Sequence, residues 1–351
     1  MTRRTGIVRD NRYLRHGAHY MEPETPRRLE AIYAMLDTAA MKEKFIEIAP
    51  RHAEVEELKM FHEPAYIERV AGTTGKKRVS LDPDTETTEE SYDTARLAAG
   101  GVMNAVDSVM SGDCDNAFAL IRPPGHHADA GHAAGFCIFN NVVLGALHAL
   151  AKHHLSRILI GDWDMHHGNG TQDAFYADGR VLYFSTHEFP AYPGTGRVEE
   201  TGCEAGTGCT INVPLAPGAG NAQYVTVFKR ILEPVAMHFR PELILLSAGF
   251  DIHEKDPLGG MKVTEKGFAA LTRILMNIAD ACCGGKLVAV LEGGYNLSGL
   301  TESVKAVLLE MRDDTRISDE DIGRMEQAAE NRQDPVCERV VRQQKPYWPV
   351  F

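Results

Sequence analysis

The most constraining feature of this sequence is the alternation of short apolar runs with longer helical stretches. The short runs are rich in β-branched residues and have the length of buried strands. They cover residues 117–121, 157–161, 181–185, 210–214, 243–247 and 287–291. The helical stretches include residues 91–110, 141–153, 222–239 and 265–282. Because parallel strands covered on both sides are apolar throughout, this pattern predicts an α/β fold with a mainly parallel central sheet and helices on both faces.

No low-complexity segment, fixed-period repeat or long Pro/Gly/Ser-rich linker divides the chain. We therefore expect a single domain over residues 1–351, with a polar C-terminal tail at residues 319–351. The opening residues lack the apolar core of a secretory signal, and no apolar run is long enough to cross a membrane. These features predict a cytoplasmic protein without a membrane partner.

Charge and cysteine content narrow the function classes. The formal net charge of −12 disfavours nucleic-acid binding and suits a basic or cationic substrate. Seven cysteines is an odd number, and none of them forms a CxxC pair. A disulfide framework and a cysteine-based zinc site are therefore not expected, so any bound metal needs other ligands.

Five of the predicted strands are followed at once by unusual polar residues. These segments read RPPGHH, GDWDMHHGNG, STHEF, SAGFD and LEGGYN. In open α/β sheets, ligands bind in the crevice beyond the carboxyl ends of the strands. We therefore expect these distant segments to build one site.

Two of these segments predict a metal centre. Side chains alternate along an extended chain, so Asp162, Asp164 and His166 face the same side. Asp251 follows an apolar strand, where an unpaired buried charge is costly. The set of Asp164, His166 and Asp251 is the open three-ligand arrangement that catalytic zinc favours. Each residue alone has an ordinary alternative, because strand-end acids often cap the next helix and a buried aspartate can be satisfied by backbone amides.

A histidine pair follows another of the strands. His126 and His127 come after two prolines and a glycine, whose stiff, irregular backbone can aim adjacent imidazoles inward. The pair at residues 153–154 lacks such a loop, so we expect it at the surface.

The last strand is followed by two glycines and a tyrosine. Gly293 and Gly294 permit a close backbone approach, and Tyr295 could donate its phenol proton to an oxygen that becomes negative in a transition state. Taken alone, this motif is more often a simple turn.

In their order and spacing, the motifs resemble the histone deacetylase superfamily, and in particular the class II-like bacterial-type deacetylases and acetylpolyamine amidohydrolases. The matching segments are RPPGHH, GFCIFNN, DWDMHHGNGTQ, PGTG, INVPL, GFD and EGGY. The resemblance spans roughly residues 10–310. It implies an arginase/deacetylase-like fold with the active site at the carboxyl ends of the strands. It also implies a zinc-dependent amidohydrolase that removes acetyl or other acyl groups from the ε-amine of lysine, with an acylated peptide or small amine as substrate.

By this resemblance, one zinc is held by Asp164, His166 and Asp251, and Tyr295 donates to the oxyanion. Residues His126 and His127 flank the attacking water.

The resemblance also distinguishes the two histidines. Asp162 backs His126, whereas Asn169 backs His127, as in the class II branch; the class I branch has aspartate at the latter position. Because Asp162 is charged and Asn169 is neutral, we expect the pKa of His126 to be raised much more than that of His127. We therefore predict that His127 is the general base that later protonates the leaving amine, and that His126 acts mainly electrostatically.

The resemblance assigns the substrate channel as well. Phe136 and Tyr192 would flank a lysine butyl chain, with clearance from Gly135. Tyr192 stands where the family more often has phenylalanine. Leu258 stands where polyamine-selective relatives have glutamate, which favours acyl-lysine here. The remaining channel residues are Gly293 and Gly294.

Members of the superfamily also bind potassium beside the zinc. The matching positions here are Asp162, Asp164, His166, Ser185 and Thr186, with a second ion near residues 175, 178 and 181. Arg28 matches an arginine beside an internal acetate channel, although a helix-surface position is the alternative.

Three other functions stay open at this point. The substrate could be an acetylpolyamine or another small acyl-amine. The chain could instead resemble the arginase-like ureohydrolases, which bind two manganese ions but need further aspartates where His167 and Asn169 stand. It could also be a non-catalytic binding protein, although no catalytic residue is missing. Homo-oligomerisation is left open.

Overall fold

The computed structural model describes residues 2–17, 23–330 and 335–351. Within them, the strands are β1 (Thr5–Val8), β2 (Ile46–Glu47), β3 (Val79–Asp82), β4 (Thr85–Thr87), β5 (Asn116–Ala119), β6 (Ile158–Asp162), β7 (Val181–Glu188), β8 (Thr210–Leu215), β9 (Leu243–Ala248) and β10 (Leu287–Leu291). The helices are α1 (Arg27–Leu36), α2 (Val55–Leu58), α3 (Pro64–Ala71), α4 (Ser91–Ser111), α5 (Asn141–Lys152), α6 (Asn169–Phe175), α7 (Asn221–Val227), α8 (Glu233–Phe239), α9 (Glu265–Cys283), α10 (Leu297–Met311), α11 (Asp319–Glu330) and α12 (Pro335–Gln344).

Eight strands form one parallel sheet in the order β2-β1-β5-β10-β9-β6-β7-β8. Strands β3 and β4 form a separate antiparallel hairpin. The inner strands β5, β6, β9 and β10 are buried along their whole length, as expected for strands covered on both faces. Helices α4 and α5 pack together as one group, and helices α1, α10, α9 and α7 pack as another. The predicted parallel α/β fold with helices on both faces is confirmed.

The predicted strands agree closely with the structure, but one predicted helix is interrupted. The stretch at residues 222–239 consists of α7, a π-helical turn at Phe228–Leu232 and α8. Pro234 lies in the first turn of α8 and has no backbone N–H, so a regular α-helix cannot run through this position without losing a hydrogen bond.

The described part of the C-terminal tail packs against the body; residues 331–334 of the predicted tail lie outside the described residues. Helix α11 contacts α7, and α12 contacts β8. Gln344 Nε2 donates to Thr210 O at 2.9 Å, and the indole of Trp348 donates to Gly208 O at 2.9 Å. Among the described helices, none is both long and apolar enough to span a membrane.

Candidate active site

The site lies where parallel strands end together. Asp162, the last residue of β6, pairs with Ser247 of β9 on one side and with Ser185 of β7 on the other. Because these strands are parallel, the loops that follow them leave the sheet at the same edge, together with the loops after β5 and β10. The segments with unusual polar residues therefore meet, although nearly 170 residues separate RPPGHH from EGGY in the sequence.

Asp164, His166 and Asp251 converge on one point, with ligand atoms that all lie within 4.8 Å of one another. His166 Nδ1 lies 3.2 Å from Asp164 Oδ1 and 3.0 Å from Asp251 Oδ2. The second oxygen of each carboxylate accepts a backbone N–H: Asp164 Oδ2 from Gly293 at 2.9 Å, and Asp251 Oδ1 from Met165 at 2.7 Å. In each carboxylate, one oxygen is therefore held by a backbone N–H, and the other oxygen faces the His166 imidazole.

This donor set fits a divalent cation. Both carboxylates are buried, and their ligand oxygens lie within 4.8 Å of each other, so ionisation of one disfavours ionisation of the other. Burial and the neighbouring charge of Asp164 raise the pKa of Asp251 to about 7. Burial also opposes ionisation of Asp164, but His126 and His166 outweigh this effect and hold its pKa below the usual range. A dication between the carboxylates offsets their repulsion, and two carboxylates with one imidazole are suitable ligands for zinc.

Gly293 is needed where it stands. A Cβ at this position would lie 2.5 Å from Asp251 Oδ2 and 2.7 Å from Asp164 Oδ2, closer than any side chain tolerates. Gly294, which the resemblance assigned to the substrate channel, does not line the cavity described below. It has a φ of +115°, and its carbonyl accepts a hydrogen bond from Arg28.

The imidazoles of His126 and His127 lie with ring centroids 4.0 Å apart, but they have different partners. His126 Nδ1 is 3.2 Å from Asp162 Oδ2, and His127 Nδ1 is 2.9 Å from Asn169 Oδ1. Burial alone would lower the pKa of His126, but the charges of Asp164 and Asp162 outweigh it and raise the value to about 10. Burial, and then the neighbouring His126 and His166, depress the pKa of His127 well below its usual value.

A buried carboxylate that sequence reasoning gave no role ties two of these loops together. Glu292 Oε2 accepts from the backbone N–H groups of Gly125 at 2.7 Å and His126 at 3.2 Å. Its Oε1 accepts from Ser247 Oγ at 3.1 Å. Burial raises the pKa of Glu292 to about 7, against the opposing effects of His126 and the Gly125 N–H. The sequence does contain one indication of a role for Glu292, because this residue directly follows the apolar strand β10.

A cavity of about 260 Å³ opens onto this centre. It is lined by Asp84, Pro124, His126, His127, Gly135, Phe136, His166, Tyr192, Leu258, Gly293 and Tyr295. The Phe136 and Tyr295 rings lie 6.0 Å apart, and the Tyr192 ring stands edge-on to His127 at 5.1 Å. Tyr192 and Leu258 are each more than 40% exposed, so they form the rim.

Gly135 and Asp84 shape one wall of the cavity. Gly135 has a φ of +55°, and a Cβ there would overlap the His127 ring, so the position requires glycine. Its N–H donates to Asp84 Oδ1 at 2.9 Å. Asp84 was not identified from the sequence because it belongs to the β3–β4 hairpin, far from the strand-end motifs.

Tyr295 and Arg28 lie side by side at the inner end. The backbone N–H of Tyr295 donates to Asp256 Oδ2 at 2.7 Å. Arg28 is fully buried, with its guanidinium 5.1 Å from the centre of the Tyr295 ring, and it donates to the carbonyls of Glu292 and Gly294. The alternative of a helix-surface arginine is therefore wrong.

The remaining predicted positions lie close to the centre but differ in orientation. Thr186 Oγ1 is 3.4 Å from Asp162 O, next to Ser185. His167 Nδ1 turns away to Thr195 Oγ1 at 2.8 Å, so it does not join the Asp164 cluster.

Comparison with known proteins places most of the chain in one family. Residues 22–311 match the family model described as the histone deacetylase domain. The chain is 42% identical to a probable deacetylase of Archaeoglobus fulgidus over 297 residues, covering 84% of this chain and 82% of that one. It is also 42% identical to human polyamine deacetylase HDAC10 over 301 residues, covering 81% of this chain but only 44% of that one. The crystal structure of the HDA15 HD domain superposes with a TM-score of 0.89 at 36% identity, covering 99% of this chain and 97% of that one.

Proposed function

The chain belongs to the histone deacetylase family, and from this membership we propose that it is a zinc-dependent deacetylase acting on the acylated ε-amine of lysine in peptides or proteins. The observation that carries the proposal is the convergence of Asp164, His166 and Asp251 beside a cavity that His166 lines. That the chain is a deacetylase of this family follows from the match; the metal and the substrate class are the proposal.

Zinc would be held by Asp164, His166 and Asp251, and potassium beside it by Asp162, Asp164, His166, Ser185 and Thr186. When bound, zinc would polarise the acyl carbonyl and acidify a water molecule.

We assign the proton transfers of the reaction to His127, and an electrostatic role to His126. A neutral imidazole that donates from Nδ1 keeps a lone pair on Nε2, and His127 donates to the amide oxygen of Asn169. His127 therefore takes a proton from the attacking water and returns it to the leaving amine. His126, held by Asp162, contributes positive charge beside the reacting carbonyl.

Tyr295 donates from its hydroxyl to the oxyanion that develops on the substrate. The Asp256 carboxylate fixes its backbone, and Arg28 supports its ring from behind. Burial raises the pKa of Tyr295 well above its usual value, so the phenol keeps its proton.

The cavity wall supports an unbranched acyl-amine as substrate. The aromatic rings of Phe136 and Tyr192 and the absence of a side chain at Gly135 suit a methylene chain. Leu258 at the rim presents no negative charge for a second ammonium group, which favours acyl-lysine over acetylpolyamine.

The second candidate is an acetylpolyamine deacetylase. It is favoured by Asp84 at the cavity wall, by the net charge of −12, and by the similarity to a relative named as a polyamine deacetylase.

A panel of acetyl-lysine peptides, longer acyl-lysine peptides, acetylspermidine and acetylputrescine, assayed with zinc-replete enzyme, tests the proposal. We expect the highest kcat/KM on an acyl-lysine peptide, with inhibition by a hydroxamate. Higher kcat/KM on the polyamines would select the alternative, and no hydrolysis of any of them would overturn both.

We also propose that residues 1–351 form a single domain and that the protein is cytoplasmic. We further propose that it has no nucleic-acid or membrane partner.

A further inference from the structure

A second group of metal-ligating side chains lies outside the catalytic cavity, between α4 and α5. It consists of Asp107, His148 and His153, whose ligand atoms all lie within 4.8 Å of one another. His148 Nε2 is 2.9 Å from Asp107 Oδ1, and His153 Nε2 is 2.8 Å from the same oxygen. Two imidazole nitrogens thus converge on one carboxylate oxygen.

The end of α5 makes this convergence possible. Residues five apart on a helix face directions about 140° apart, so His148 and His153 would not share a side if the helix continued. Helix α5 instead ends at Lys152, and His153 caps it with φ −99° and ψ 3°. His154 follows with a positive φ of 54°, which carries the chain away. Of the pair that we expected at the surface, His154 is exposed, whereas His153 is half-buried and contacts Asp107.

This cluster is separate from the catalytic centre. Helix α5 starts beside the active-site loops, since Asn140 Nδ2 donates to Ala128 O at 3.1 Å. His148 and His153 lie 7 and 12 residues after the first residue of α5, a rise of ~10–18 Å along its axis. They therefore lie towards the amino-terminal edge of the sheet, away from the cavity.

From this geometry we infer that Asp107, His148 and His153 form a second binding site for a divalent transition metal, with zinc as the ion of closest chemical fit. Two imidazoles and one carboxylate oxygen are a suitable set of three protein ligands, and water completes the tetrahedron. Ligands at zinc-bond length in a tetrahedron are ~3.3 Å apart, so the present 2.8 and 2.9 Å separations need to open by a few tenths of an ångström. The inference does not rest on the proposed deacetylase activity.

Access and charge also permit binding. Asp107 and His153 line an open cavity of about 500 Å³, which gives an ion and its water a path from solvent. Both imidazole nitrogens contact the same oxygen of Asp107, Oδ1. Lys152 Nζ lies 2.7 Å from the other oxygen, Oδ2, and leaves Oδ1 to the ion. Because its positive charge opposes a cation, binding should be weaker than at the catalytic centre.

A second zinc site would change the meaning of a measured zinc-to-protein ratio. A total of two zinc ions per chain would arise from one catalytic and one peripheral ion. It would therefore not indicate the two-metal centre of a ureohydrolase.

The test compares wild type, H148Q/H153Q and the control H154Q, each dialysed against zinc chloride buffered by a weak chelator, with metal content measured by mass spectrometry. We expect two zinc ions per chain for wild type and H154Q, and one for H148Q/H153Q, with its kcat/KM on the best substrate unchanged. If the double variant does not fold, the single variant H153Q should bind the second ion roughly tenfold or more weakly than wild type.

An equal number of bound zinc ions in wild type and H148Q/H153Q would overturn the inference and leave the cluster as a hydrogen-bonded clamp. Loss of the second ion in H154Q as well would also overturn it. None of these results bears on hydrolysis at the Asp164 centre, so the two proposals fail independently.

Discussion

His127 Nδ1 lies 2.9 Å from the amide oxygen of Asn169, and this contact determines which nitrogen of the imidazole can act as a base. An amide oxygen only accepts, so the proton of a neutral His127 resides on Nδ1 and the lone pair on Nε2. The adjacent His126 instead faces the carboxylate of Asp162, which favours its charged form. Two neighbouring imidazoles of identical chemistry thus have pKa values that are shifted in opposite directions.

Replacement of His127 by alanine should abolish turnover while leaving the metal bound. Loss of a general base lowers kcat by ~10²–10⁴-fold, whereas the proposed ligands Asp164, His166 and Asp251 are untouched. Activity and zinc content should be measured on the same preparation. Near-normal turnover in H127A would reject the assignment of His127 as the base.

Replacement of Asn169 by aspartate should move the acidic limb of the pH profile of kcat/KM to higher pH. In wild type the pKa of His127 is depressed by burial and by the neighbouring imidazoles, so the base form is already present below pH ~6.5, the usual histidine value. A carboxylate beside Nδ1 stabilises the imidazolium and raises that pKa, so activity is lost at a higher pH as the medium is acidified. A profile unchanged in N169D would show that another group controls this limb.

Replacement of Gly293 by alanine should weaken metal binding, because the added Cβ would lie within 2.7 Å of both carboxylate groups. We expect a loss in affinity of roughly 10- to 100-fold, the range seen when groups that orient metal ligands are disturbed. The measurement should be made in the H148Q/H153Q background, so that only the catalytic ion is counted. G131A is the matched control, since its Cβ would meet nothing closer than 3.4 Å; equal zinc affinity in the two variants would contradict the prediction.

Six of the ten described strands, β5 to β10, could be predicted from the sequence to within three residues at each end, whereas β1 to β4 were missed. The reason for the success is local. A strand buried on both faces must be apolar throughout, and the polar residues that follow it mark its end, as Asp162 does for β6. That the strand-end segments form one site could also be predicted, because a parallel sheet brings the ends of β5, β6, β9 and β10 to one edge.

What could not be predicted depends on contacts between distant residues. The helix pattern around Arg28 left a surface position open beside the internal one that the family resemblance implied, and the fold decides between them by placing Arg28 against the carbonyl of Gly294, 266 positions away. Asp84 lies in a short polar hairpin that no periodicity marks as part of a cavity. His153 joins Asp107 only because α5 ends one residue earlier, and helix ends are the least certain feature of any sequence-based assignment.

Replacement of Trp348 by alanine should lower the free energy of unfolding by about 3 kcal/mol. The side chain is buried against His238 and Phe239, and its indole N–H is bonded to Gly208 O. Urea denaturation should give a lower midpoint with an unchanged slope. V350A, at a position 37% exposed, is the control and should change stability by no more than about 0.5 kcal/mol. If both variants unfold at the same midpoint, the tail does not pack on the body in solution.

Replacement of Leu258 by glutamate should shift preference from acetyl-lysine peptides towards acetylpolyamines. Leu258 is 42% exposed at the cavity rim, where a carboxylate would face the distal ammonium of a polyamine bound through its acetylated end. One such charge pair of about 1.4 kcal/mol changes the ratio of the two kcat/KM values about tenfold. Because the pair is partly exposed, the gain should shrink as salt is added. L258Q provides the control of equal size without the charge. If L258Q shifts the ratio as far as L258E, then the apolar contact of the leucine, and not the missing charge, sets the preference for lysine.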